Sequence, residues 1–157
     1  MINASTDPIL SIAVPTYKRP EKLSCLLDSI ACQYSPGMPL EILVSDNSED
    51  SRTAELIKSY NLILPINYIQ QSQNIGACNN YIYSVSASKG SYCWILGDDD
   101  LIAQGSIARL LRILTLEPDI PALLLDILTK TKKVGLKFYP IFAIKMLPLL
   151  SCLISSL

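Results

Sequence analysis

The chain has 157 residues, half of them hydrophobic, a net charge of −1 and no histidine. That length suits one domain with a sizeable core. The near-zero charge offers no basic face for nucleic acid, and the missing imidazole excludes Ser-His-Asp and Cys-His catalysis along with the commonest metal ligand.

Taken in order, "ILSIAV" (9–14) is a short β-rich apolar run closed by Pro15, Thr16 and Tyr17, and it predicts a buried strand. Pro20 and Glu21 open a helix in the expected way, and Leu23, Leu26, Leu27 and Ile30 follow as one apolar stripe. "PGMP" (36–39) is a turn, and "LEILVSD" (40–46) is the second strand. A polar start at 48 leads into a short helix to residue 60 carrying Leu56 and Ile57. "INYIQQ" (66–71) is the third strand. Residues 74–90 read as a helix bearing Cys78, Ile82 and Val85, with Gly90 as its C-terminal stop. "SYCWIL" (91–96) is the fourth strand, and 106–116 a helix with Ile107, Leu110, Leu111 and Leu114 on its apolar face, ended by Pro118. Residues 121–128, "PALLLDIL", suit one more strand. Helices in every gap between strands give the rhythm of a mostly parallel α/β sheet covered on both faces.

After about residue 120 the alternation stops, which sets 1–120 as the folded domain and 121–157 as an apolar tail. Its longest uncharged run, 146–157, is too short for a membrane span. Lys130, Lys132, Lys133, Lys137 and Lys145 beside apolar residues suit peripheral contact with an anionic inner leaflet. Cysteines 25, 32, 78, 93 and 152 show no CxxC and no zinc spacing, and residues 1–15 have no basic region ahead of the apolar run. They read as buried thiols of a cytoplasmic protein.

Polar and acidic groups gather at the carboxyl ends of the predicted strands: Pro15-Thr16-Tyr17, Asp46-Asn47-Ser48, Asn74 and Gly76, and Gly97 to Asp100. Ligands of open α/β sheets bind there. Asp98, Asp99 and Asp100 stand side by side with no basic neighbour in sequence. A divalent cation would relieve them, since Mg²⁺ or Mn²⁺ takes one or two carboxylates and fills its shell with water and phosphate oxygens. An acidic first turn for the helix at 106 is the plainer account, but Asp98 is too far from Ser106 for capping. Asp46 suits an Asx turn as well as it suits a carboxylate receiving a nucleobase imide, and Tyr17, which could stack on a nucleobase, on its own favours simple packing. No GxGxxG and no P-loop is present, so a nucleotide's phosphates would be held through metal.

"LSIAVPTYKRPEKLSCLLDSI", "EILVSDNSEDSRT" and "NIGACNNYIYSVSASKGSYCWILGDDD" resemble family 2 glycosyltransferases of the GT-A fold, over roughly residues 8–116. The third segment is similar to transferases of bacterial O-antigen and surface polysaccharides, the abequosyltransferase-like type. The resemblance implies a nucleotide-diphospho-sugar donor, UDP-, dTDP-, GDP- or CDP-linked, with Mg²⁺ or Mn²⁺, and a glycan or lipid-linked acceptor. It places Pro15, Thr16 and Tyr17 beside the base, Asp46 on the base, Asn74 in the nucleotide-sugar site, Asp98 at the ribose and Asp99, with Asp100, at the metal. Family members carry a general base well downstream of these aspartates. Here only Asp126 follows Asp119, and it does not match that motif. The chain thus reads as a donor half whose acceptor half is missing, weak or inactive alone. The alternatives are a non-catalytic nucleotide-sugar-binding fragment and a membrane-surface remnant.

Overall fold

The computed structural model describes residues 7–119, 121–129 and 137–145. Four βα units come first: β1 (Leu10–Thr16), α1 (Pro20–Ala31), β2 (Leu40–Asp46), α2 (Arg52–Tyr60), β3 (Ile66–Gln70), α3 (Ala77–Ser86), β4 (Tyr92–Ile95) and α4 (Ser106–Leu116). Two further strands, β5 (Ala122–Thr129) and β6 (Lys137–Lys145), complete a sheet of order β3-β2-β1-β4-β6-β5. β1 pairs in parallel with β2 and β4, and β2 with β3, while β6 runs antiparallel to both β4 and β5.

The sheet is therefore mixed. The sequence predicts a strand over 121–128, which β5 meets, and an apolar tail beyond it, in which the structure has β6. Pro140 lies in β6 opposite Asp126 of β5. Residues 130–136 and 146–157, with Lys130, Lys132, Lys133 and Cys152, lie outside the described residues.

β1 is buried along its whole length because it sits in the middle of the sheet. Side chains alternate across a strand. One face carries Leu10, Ile12 and Val14, Leu40, Ile42 and Val44, and Tyr92 and Trp94, in register across the parallel pairs. This face joins the buried stripes of α1 (Leu23, Leu26, Leu27, Ile30), α2 (Ile57, Tyr60) and α4 (Ile107, Leu110, Leu111, Leu114) in one apolar core. The proline and acidic start foreseen for α1 are both in its first turn.

The other face presents Ser11, Ala13, Leu43 and Ser45, and α3 packs on β1 and β2 there. Its buried residues are Asn80 and Ser84, not the expected Cys78, Ile82 and Val85. Cys78 is exposed and Ile82 is 63% exposed. The polar stripe of the helix meets Ser45: its hydroxyl donates to Asn80 Oδ1 at 2.6 Å and Asn80 Nδ2 donates to the Ser45 carbonyl at 3.0 Å. α3 also ends at Ser86, so Gly90 is not its stop. Gly90 lies against β1, where a Cβ would come within 2.6 Å of the Ser11 amide nitrogen. The cysteines differ from expectation too: Cys25, Cys32 and Cys78 are exposed, and Cys93 alone of the described ones is buried, which pushes its thiol up.

Candidate functional site

The strand order reverses direction beside β1: the chain moves outward through β2 and β3, then returns to place β4 on β1's other side. In open α/β sheets the crevice outside the carboxyl ends at such a switch point receives the ligand. Thr16 ends β1 there, and the Gly97–Asp100 loop follows β4. The Thr16 hydroxyl donates to Asp98 Oδ2 at 2.8 Å, a buried hydrogen bond that spans the switch point.

The three aspartates have three different environments. Asp98 is buried, 6% exposed, and its second oxygen lies 3.4 Å from Arg19 Nη1. Asp99 is half-exposed, with Oδ2 3.1 Å from Lys22 Nζ and 3.7 Å from Arg19 Nη1. Lys22 beside Asp99 holds its carboxyl below the usual carboxylate range, against the opposing effect of burial. Asp100 turns back on its own loop: its amide donates to the Gly97 carbonyl at 3.1 Å and its Oδ2 accepts from the Gly97 amide at 2.8 Å. Burial pushes the Asp100 carboxyl up, the Gly97 N–H opposes this, and the neighbouring Asp99 and Asp98 add to the rise.

The missing basic partners of the loop are therefore Arg19 and Lys22, from the β1–α1 loop and the first turn of α1. The plainer account of the acidic run fails as well, since the first turn of α4 holds no acid.

At the end of β2, Asp46 is fully buried. Its Oδ1 accepts from the Ser48 amide at 2.8 Å, an Asx turn, and its Oδ2 accepts from the Tyr68 hydroxyl at 2.9 Å. Burial first, and then donation to Asp46, raise the Tyr68 phenol far above its ordinary value. Asn47 bridges to the third edge: its Nδ2 donates to Asn74 Oδ1 at 2.7 Å and its Oδ1 accepts from the Ile75 amide at 2.9 Å. Asn74 itself is exposed. Gln71 Nε2 donates to the Ser45 hydroxyl and Asn80 Nδ2 reaches the Thr16 carbonyl, so one polar network ties β1, β2, β3 and α3 together behind the site.

Tyr17 leaves β1 42% exposed, with Lys18 Nζ 5.1 Å from its ring centroid. Lys18 has φ +55°, unusual for a residue with a Cβ, and its amide donates to the Ser48 hydroxyl at 2.7 Å. That bond fixes the turn that sends Tyr17 out and Arg19 back. Pro15 is buried in β1 behind them. Across the crevice Tyr81 of α3 is 44% exposed; burial, then the negative charge of Asp100, Asp98 and Asp99, raises its phenol.

Every predicted site residue thus lies at this one edge. Arg19, Lys22, Tyr68, Asn80 and Tyr81 join it unforeseen. A cation at the acidic loop would meet oxygen ligands only, as Mg²⁺ and Mn²⁺ prefer. Among the described residues no three acidic or thiol side chains converge into a complete cage. An ion at this loop would need oxygens of a bound ligand or water to complete its shell.

A family model described as "Glycosyl transferase family 2" matches residues 11–125. The abequosyltransferase RfbV of Salmonella typhimurium (strain LT2) is 40% identical over 114 residues, which cover 71% of this chain and 34% of that protein. The crystal structure of S. aureus TarS 1-349 in complex with UDP superposes with a TM-score of 0.69 at 22% identity, over 80% of this chain and 38% of that one. The mannosyltransferase PcManGT from Pyrobaculum calidifontis, in complex with GDP-Man and Mn²⁺, gives 0.61 at 23% identity, over 74% and 34%. The fold is GT-A, and the chain belongs to glycosyltransferase family 2. It spans about a third of the length of the first curated relatives it matches.

Proposed function

From that membership we propose that the chain carries the donor site of a glycosyltransferase of surface-polysaccharide synthesis. The site takes a nucleotide-diphospho-sugar at the carboxyl ends of β1, β2 and β4, together with Mg²⁺ or Mn²⁺. The observation that carries this reading is the Thr16–Asp98 hydrogen bond at the switch point, with Asp46, Tyr17 and Asp99 along the same edge. The similarity to an abequosyltransferase supports the substrate class, and solved neighbours bound to UDP or to GDP-Man and Mn²⁺ support a nucleotide ligand.

In this reading Tyr17 stacks on the base, and Asp46, held by Ser48 and Tyr68, accepts from its imide. Asp98, oriented by Thr16, faces the ribose. Asp99 and Asp100 hold the divalent ion, which when bound supplies Lewis-acid stabilisation of the leaving diphosphate. Asn74, tied to Asn47, borders the nucleotide. The acceptor is a glycan or a lipid-linked sugar. Among the described residues no helix is long and apolar enough to cross a membrane.

Calorimetric titration with UDP-, dTDP-, GDP- and CDP-sugars, with and without Mn²⁺, tests the reading. One donor class should bind at least about tenfold more tightly with Mn²⁺, and Asp99→Ala should abolish that gain, a difference of about 1.4 kcal/mol. No metal-dependent gain with any of the four, or an unchanged gain in Asp99→Ala, refutes it.

A further inference from the structure

The acidic loop already has cations on it, and they belong to the chain. Arg19 Nη1 lies 3.4 Å from Asp98 Oδ1 and 3.7 Å from Asp99 Oδ2, and Lys22 Nζ lies 3.1 Å from the same Asp99 oxygen. Asp98 is deeply buried and already receives the Thr16 hydroxyl, and Asp100 Oδ2 is committed to the Gly97 amide. Asp99 is the half-exposed carboxylate of the loop, and two positive side chains share its Oδ2. A divalent ion at Asp99 would compete with both for that oxygen and would be repelled by them at close range.

A diphosphate changes that balance. Its oxygens complete a metal shell and at the same time give a guanidinium and an ammonium a better anion than a half-exposed carboxylate. Arg19 and Lys22 are about half-exposed, so both side chains are free to swing. Arg19 precedes α1, and Lys22 stands in its first turn.

We propose, resting on the donor-site reading above, that Arg19 and Lys22 are a cationic latch: they occupy the acidic loop in place of the divalent ion until a nucleoside diphosphate arrives, and then transfer to its phosphate oxygens. The latch couples metal binding to nucleotide binding. Metal alone must displace the two cations without compensation. Metal and diphosphate together provide the displaced cations with a new partner. By linkage the coupling is reciprocal, so the ion raises nucleotide affinity by the same factor.

The test is Mn²⁺ binding to the whole chain, followed by electron paramagnetic resonance of the free ion, first with MnCl₂ alone and then with UDP, dTDP, GDP or CDP present. The wild type should bind Mn²⁺ weakly alone and more tightly with one of the nucleotides. Arg19→Gln with Lys22→Met should bind Mn²⁺ alone about two- to fivefold more tightly for each ion pair removed. The same variant should show a smaller nucleotide-induced gain. Lys22→Arg should behave as the wild type, and Lys22→Met alone, at an exposed position, carries the test if the double variant is poorly folded. Variants that bind Mn²⁺ alone no more tightly than the wild type overturn the latch, and the donor-site reading survives if a nucleotide still tightens Mn²⁺ in the wild type. If none of the four nucleotides tightens Mn²⁺ in the wild type, the donor-site reading fails and the latch with it.

Discussion

The carboxylate of Asp46 is fully buried, makes no ion pair among the described residues, and rests its two oxygens on the Ser48 amide and the Tyr68 hydroxyl. Tyr68→Phe removes one of those two donors and changes little else, because the ring remains. A hydrogen bond to a charged group contributes about 1.5–3 kcal/mol net. Tyr68 is only partly buried, so water replaces some of the loss, and about 1.5 kcal/mol is expected. For a domain of this size that lowers the melting temperature by about 3–6 °C. Urea unfolding at pH 7 should show the loss, and a double-mutant cycle with Asp46→Asn should assign it. The coupling energy should reach about 1 kcal/mol, since residues in one hydrogen-bond network are not additive. A coupling below about 0.3 kcal/mol refutes the claim that the Tyr68 hydroxyl is what keeps the buried Asp46 carboxyl tolerable at the end of β2.

Three other outcomes follow from the same geometry. Thr16→Val removes the hydroxyl donor to buried Asp98 and should cost about 1–3 kcal/mol, whereas Thr16→Ser should recover most of it; equal stability of all three in urea would show that the bond does not hold the switch point. Gly90→Ala drives a Cβ to 2.6 and 2.8 Å from the Ser11 nitrogen and the Leu10 carbonyl carbon, which are backbone and cannot swing aside. A cost of about 1–3 kcal/mol is expected from such overpacking, and an unaffected melt would mean that β1 yields freely. The Asp100 carboxyl is pushed above its ordinary value of 3.8, so ionising it opposes folding. That penalty is absent below pH 3.8 and develops as pH rises through the raised value. Without divalent ions Asp100→Asn should therefore be more stable than the wild type at pH 7 and equal to it near pH 3, and the reverse ordering in paired melts contradicts the assignment.

The elements of the first 116 residues are legible because β1, β2 and β4 are largely apolar runs ended by polar residues and α1, α2 and α4 show their stripes at helical spacing. α3 is the exception in its packing. Its apolar residues Tyr81, Ile82 and Tyr83 face outward and its polar Asn80 and Ser84 face in, toward a sheet face that carries Ser11, Ala13 and Ser45 as well as Leu43, and Asn80 finds both its partners on Ser45 there. Periodicity counts hydrophobicity on one element and cannot see that its partner surface offers a buried hydrogen-bonding group such as Ser45. β6 is hidden for a related reason: Lys137, Pro140 and Lys145 interrupt its run, and what makes it a strand is the antiparallel ladder it forms with β4 and β5. Gly90 reads as a helix stop from its place in the chain, while the contact that demands glycine is with a strand about 80 residues earlier.

The same limit governs the acidic loop. Sequence shows three adjacent carboxylates and hence a repulsion in need of relief; it does not show what relieves it. The fold uses a different device for each residue. Asp98 takes a hydroxyl and a guanidinium, Asp99 an ammonium, and Asp100 its own loop's amide. The cations come from 77 and 79 positions away in the chain, a separation that no local pattern encodes. A buried charge with its partners in place is costly to disturb, and removing one partner is costlier still, so Asp98 is the fixed member of the loop. Asp99 is the exchangeable one: its side chain is 50% exposed and its contacts are to mobile ends of long side chains. An exposed ion pair of that kind contributes little to stability. Its small cost of breaking is what a site needs if a divalent ion is to take the same oxygen during each cycle of ligand binding.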